Sequence, residues 1–142
     1  MNDDLRSLGK TVPHVYVGSD ATLLERVENP MRLEDITSTI TLTTDEFTSI
    51  CPVTGGPDFG TITIEYGPDS WIVESKSLKL YLESFRMEPT FHEKVVAKIC
   101  HDLRELIQPM WMEISGKFKP RGGVAIEPHC SYNWEESANK DV

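Results

Sequence analysis

The sequence predicts an α+β fold, an antiparallel sheet with two helices segregated to one face. Three observations predict it. Threonine-rich alternation runs through Thr37–Thr43 and Thr61–Tyr66. A helical period replaces it between Leu78 and Leu106, interrupted by Pro89. Alternation then returns from Met112. Strands, a helix pair and strands again lack the repeated βα alternation of a doubly wound parallel sheet.

Each element has a local cause. Ile40 and Leu42 share one face of the first strand, and Ile62 and Ile64 one face of the second. Gly67-Pro68-Asp69 turns the chain into a short third strand, Trp71-Ile72-Val73. Leu78, Tyr81, Leu82 and Phe85 then follow the i, i+3, i+4, i+7 spacing of an amphipathic helix. A second helix starts at Thr90, carries Val95, Val96, Ile99, Leu103 and Leu106 on one side, and stops before Pro109. Its start fits a capping box, Thr90-Phe91-His92-Glu93. Met112, Ile114, Gly116 and Phe118 alternate with polar residues, and Val124-Ala125-Ile126 reads as a last short strand. The polar ends, about residues 1–12 and 135–142, read as loose tails on a single domain spanning 1–142. One sheet face is left without helix cover, which points to closure by several copies of the chain.

Composition narrows the function. With 39% apolar and 26% charged residues the chain is globular. Fourteen Lys plus Arg against 23 Asp plus Glu give a formal charge of -9, which disfavours nucleic acid and anionic membranes as partners. No apolar run approaches the ~18 residues of a membrane span. Met1-Asn2-Asp3-Asp4 does not resemble a signal peptide, so a cytoplasmic setting is expected. Cys51, Cys100 and Cys130 are scattered, as expected of reduced thiols.

The densest chemistry lies in Cys51-Pro52-Val53-Thr54-Gly55-Gly56-Pro57-Asp58, a thiol and a carboxylate seven positions apart across a turn. Cys51 precedes proline, which favours extended backbone and an outward side chain. A thiolate there can attack an electrophilic carbon while Asp58 protonates the atom that gains electrons. A buried cysteine beside a turn aspartate is the competing reading. Glu74-Ser75-Lys76-Ser77-Leu78-Lys79 begins where a strand becomes a helix, so Lys76 and Lys79 either face a phosphate or form a wet helix face. Glu93 either completes the capping box or accepts two hydrogen bonds from the N–H/NH2 edge of a guanine-like base, with His92 beside it for proton work. Arg121-Gly122-Gly123 is a turn that also offers a guanidinium to a phosphate. Neither GxGxxG nor GxxxxGK[ST] is present. Cys100-His101 and His129-Cys130 lack the usual metal-ligand spacings.

Taken together, these segments resemble the NADPH-dependent 7-cyano-7-deazaguanine reductases, the nitrile reductases of queuosine biosynthesis, from about Ile50 to Trp134. Glu74 to Lys79 meets the family's Glu-Ser/Leu-Lys-Ser/Ala-hydrophobic-Lys signature, supported by Cys-Pro-x-Thr-Gly-x-Pro-Asp before it and Phe91-His92-Glu93 after it. The resemblance implies a tunnelling fold that assembles into a ring-shaped homo-oligomer with active sites between subunits. It implies that Cys51 forms a covalent thioimide with the nitrile carbon and that Asp58 donates protons, with His92 a further catalytic residue. Val73, Glu74, Ser75, His92 and Glu93 would hold the deazaguanine, and Lys76, Lys79 and Arg121 the NADPH, with no metal required. Gly56 departs from the larger polar residue of many relatives, implying a more mobile turn. Two other readings compete: a zinc-dependent, GTP cyclohydrolase-like enzyme of the same fold, and a non-catalytic nucleobase-binding ring protein.

Overall fold

A computed structural model describes residues 18–135. The tails expected at 1–12 and beyond Glu135 lie outside the described residues. Four strands, β2 (Ile40–Ile50), β3 (Pro57–Gly67), β5 (Trp111–Phe118) and β6 (His129–Asn133), form an antiparallel sheet in the order β2-β3-β5-β6. Two short strands, β1 (Arg26–Glu28) and β4 (Trp71–Val73), pair antiparallel beside it. The helices α1 (Ser75–Glu83) and α2 (His92–Ile107) lie between β4 and β5 in the chain.

Both helices cover one face of the sheet. Ile62, Ile64 and Tyr66 of β3 and Met112, Ile114 and Phe118 of β5 point inward. They join Leu78, Tyr81 and Leu82 of α1 and Val95, Ile99 and Leu103 of α2 in one continuous core. Each such side chain contributes about 1.5–3 kcal/mol when fully buried, so the strand alternation and helix stripes are satisfied by one another. The expected α+β architecture with helices on one face is therefore observed. Among the described residues, no helix is long and apolar enough to cross a membrane.

Three elements differ from the sequence reading. β2 runs on to Ile50, because an irregularity between Thr44 and Phe47 shifts the alternation and hides the continuation. Val124-Ala125-Ile126 is not a strand. Instead, Arg121 and Val124 exchange backbone hydrogen bonds at 3.1 and 3.0 Å around Gly122 and Gly123. Both glycines have positive φ, as a tight hairpin turn requires. The last strand is the polar β6, which pairs with β5 at the sheet edge. Finally, the capping box does not form. Thr90 instead docks on the end of β2 next to an isolated bridge between Ile50 and Pro89, its N–H donating to the Ile50 carbonyl at 3.0 Å, and Phe91 caps α2 without a side-chain bond.

Candidate active site

Three chain segments meet at the end of β2. β2 and β3 are joined by the hairpin turn that carries Cys51, closed by Cys51 N–H to the Gly56 carbonyl at 2.8 Å and Gly55 N–H to the Cys51 carbonyl at 2.9 Å. Gly55, at φ 74°, supplies the left-handed residue, and Gly56 N–H donates to Thr54 Oγ1 at 3.2 Å. The turn is thus held by its own hydrogen bonds despite the small residue at Gly56. The chain entering α2 docks alongside, with Ile50 N–H on the Glu88 carbonyl at 3.0 Å and Thr90 N–H on the Ile50 carbonyl. That docking brings His92, the first residue of α2, to the hairpin. The segment after β5 supplies Arg121.

Cys51 is 4% exposed, not outward-pointing as its extended geometry suggested. Cys51 lies outside the hydrophobic core cluster, at the base of its own turn. The same turn acidifies it. The thiol is lowered from 9.0 to about 7, first by the Thr54 side chain, then by the backbone N–H groups of Thr54 and Val53, and least by Arg121, with burial opposing. Thr54 N–H stands 3.5 Å from the sulfur. Alkylation of Cys51 by iodoacetamide should therefore show a pH midpoint near the thiol's value of about 7. Thr54→Val should move that midpoint upward; an unmoved midpoint would mean that the Thr54 hydroxyl plays no part.

Asp58, on β3 beyond the hairpin, is also 4% exposed. Its Oδ1 lies 3.3 Å from Arg121 Nη1, and its Oδ2 lies 4.0 Å from His92 Nδ1. Arg121 Nη2 also reaches His92 Nε2 at 3.3 Å. A guanidinium only donates, so Nε2 accepts, and the neutral ring then carries its proton on Nδ1, facing Asp58. Burial lowers the His92 pKa. Asp58 opposes that, Arg121 reinforces it, and Glu93 opposes it again. The ring stacks on Phe118, with centroids 3.8 Å apart and planes 8° from parallel. Gly60 makes room for that platform, since a Cβ there would meet Phe118 Cδ1 at 2.7 Å.

Cys51, Asp58, His92 and Arg121 thus form one cluster. Arg121, expected at the cofactor, rests its guanidinium on Asp58 and His92 in this structure and stays 43% exposed. Glu93, free of the capping box, is exposed in the first turn of α2 beside His92.

The other expected residues gather around the start of α1. Val73 is buried in β4, its N–H donating to Tyr66 Oη at 3.2 Å. Glu74 caps α1, with Oε1 on Lys76 N–H at 2.8 Å and Oε2 on Ser77 N–H at 2.7 Å. Each oxygen keeps a lone pair for a further donor. Ser75 and Lys79 line a groove of about 200 Å³ between α1 and β2, together with Arg86 and an apolar wall of Phe47, Leu78 and Leu82. Glu46 and Glu83 line it too, so Lys79 and Arg86 offer local positive points beside the apolar wall and not a basic field. The volume is below the roughly 300–1,000 Å³ of sites that enclose a drug-sized ligand. Among the described residues, no three His, Cys, Asp or Glu side chains gather to hold a metal, so the zinc reading finds no ligand set there.

Residues 57–137 match the family model described as QueF-like protein. The chain is 44% identical over 136 residues, 96% of its length, to the NADPH-dependent 7-cyano-7-deazaguanine reductase of Helicobacter pylori strain Shi470, covering 91% of that protein. It belongs to this reductase family. The enzyme of the same name from Streptococcus mutans is 46% identical over 129 residues, 91% of this chain and 78% of that one. The crystal structure of the archaeosine synthase QueF-Like in the apo form superposes with a TM-score of 0.63 at 21% identity, over 66% of this chain and 92% of that one. That likeness establishes the shared fold.

Proposed function

We propose that the chain reduces the nitrile of 7-cyano-7-deazaguanine to an aminomethyl group at the expense of two NADPH, through a covalent thioimide on Cys51, as a step of queuosine biosynthesis. The observation that carries the reading is the meeting of an acidified thiol with a buried carboxylate held by Arg121. A nitrile is a poor hydride acceptor. Addition of the Cys51 thiolate makes a C–S bond and turns the triple bond into C=N, with a proton taken up on nitrogen. Asp58, held through Oδ1, donates protons to that nitrogen as negative charge develops. Between the two hydride additions the C–S bond breaks, returning the thiolate to Cys51 and leaving an imine for the second hydride. NADPH, when bound, supplies the hydrides, and Lys76, Lys79 and Arg121, with Arg86 beside Lys79 in the groove, are the residues that would hold it. Arg121 orients the acid, and His92, flat on Phe118, keeps its Nδ1 proton toward Asp58. Glu93 accepts the N–H/NH2 edge of the base, and Val73, Glu74 and Ser75 complete its site.

The small groove suits sites completed by a second copy of the chain. So do Val53, Phe59, Met87 and Phe91, large apolar residues left exposed on the hairpin, on β3 and before α2. The ring-shaped homo-oligomer and a cytoplasmic setting, in which the three free thiols stay reduced, are part of the proposal. Supplied with 7-cyano-7-deazaguanine and NADPH, the protein should oxidise two NADPH per nitrile and yield the amine by mass. No NADPH oxidation would overturn the reading.

A further inference from the structure

Among the described residues, three buried side-chain atoms near Cys51 lack a hydrogen-bond partner: Asp58 Oδ2, His92 Nδ1 and Ser49 Oγ. The first two are the facing atoms of the acid and the imidazole, 4.0 Å apart, too far for a hydrogen bond. The third belongs to a residue with no part in the mechanism so far. Ser49 is 0% exposed and sits directly opposite Asp58 in the β2–β3 register. Opposite residues of an antiparallel pair project from the same face, with Cβ atoms about 4.5–5.5 Å apart. Both belong to the covered face, where Phe47 and Gly60 form the next inward pair. A hydroxyl buried without a partner loses its hydration and regains nothing, so buried polar atoms are nearly always paired. An apolar residue would fill the same space without that loss.

We propose that Ser49 is the positioning residue of the acid, its hydroxyl holding Asp58 Oδ2 while Arg121 holds Oδ1. Rotation about the Ser49 side chain aims the oxygen across the ladder at the carboxyl group. This inference rests on the reading of Asp58 as proton donor, because the fit is to a group that changes protonation in each turnover. Arg121 only donates, and so favours the carboxylate. A hydroxyl donates to the carboxylate and accepts from the carboxylic acid, so it keeps Asp58 in one orientation through both halves of the cycle. Without it, Oδ2 faces only His92 Nδ1, beyond bonding distance.

Ser49→Ala tests the assignment with two readouts. In the protein without substrate, NMR couplings of the Asp58 side chain should report one rotamer for the parent and averaging for Ser49→Ala. In turnover, kcat should fall about tenfold, a small part of the roughly 10²–10⁴-fold that a general acid contributes. KM for the nitrile should stay within twofold, and the solvent deuterium isotope effect on kcat should rise as proton transfer becomes limiting. A merely structural serine would lower stability without moving the isotope effect. An unchanged Asp58 rotamer overturns the proposal, as does a parent-like kcat and isotope effect. If the parent itself shows no nitrile turnover, the functional reading fails, and the Asp58 rotamer alone decides the role of Ser49.

Discussion

Cys51→Ala will give a folded protein that neither gains the mass of 7-cyano-7-deazaguanine nor oxidises NADPH in its presence. Activity should fall by roughly 10⁴-fold or more, because the covalent route is removed and not merely slowed. No neighbour can replace the thiol. The other cysteines, Cys100 and Cys130, sit on α2 and β6 and belong to or pack against the core. Cys51→Ser should be nearly as inactive, since a hydroxyl in the same turn has a far higher pKa than a thiol. The fold should tolerate both changes, because Cys51 lies outside the core cluster and the turn is closed by backbone hydrogen bonds. Intact mass after incubation without NADPH, with thermal melting as the control for folding, makes the measurement. A Cys51→Ala protein that still acquires the adduct would place the nucleophile elsewhere.

The legible parts of this chain are those where one face is buried and the other wet. β3 and β5 alternate cleanly because α1 and α2 cover one side, and both helices carry their stripe for the same reason. β2 was legible only to Thr43, since the irregularity between Thr44 and Phe47 changes which parity faces inward. β6 is an edge strand whose only partly buried residues are Cys130 and Tyr132, so its composition carries little strand signal, whereas the apolar Val124-Ala125-Ile126 drew the strand reading. Within the site, the thiol, acid and imidazole stood out through short motifs. Arg121 was singled out only as a phosphate contact, and Ser49 not at all, because their places beside Asp58 arise only when β2, β3, α2 and the segment after β5 meet. The remaining sequence signal for Arg121 was a lone guanidinium before two glycines, whose positive φ angles form the turn beside it.

Asp58→Asn will separate the thiol from the acid. Asparagine keeps the shape of the side chain but removes the donatable proton and the charge facing Arg121, so kcat should fall about 10²–10⁴-fold. Stability should change little, since Arg121 is 43% exposed and can turn its guanidinium to water when the 3.3 Å ion pair is lost. Two further readouts distinguish this from general damage. The acidity of Cys51 comes first from Thr54 and Val53 and least from Arg121, so iodoacetamide should alkylate Cys51 with a pH midpoint close to the parent's even when the guanidinium turns away. Asp58 does raise the pKa of His92 against the stronger effect of burial. Removing that charge must therefore push the His92 titration lower still, and its imidazole signals should stay in the neutral form to a more acidic pH than in the parent. A variant with kcat within tenfold of the parent would assign proton donation to another group. A lost or upward-shifted His92 titration would show that the imidazole does not face Asp58 in solution.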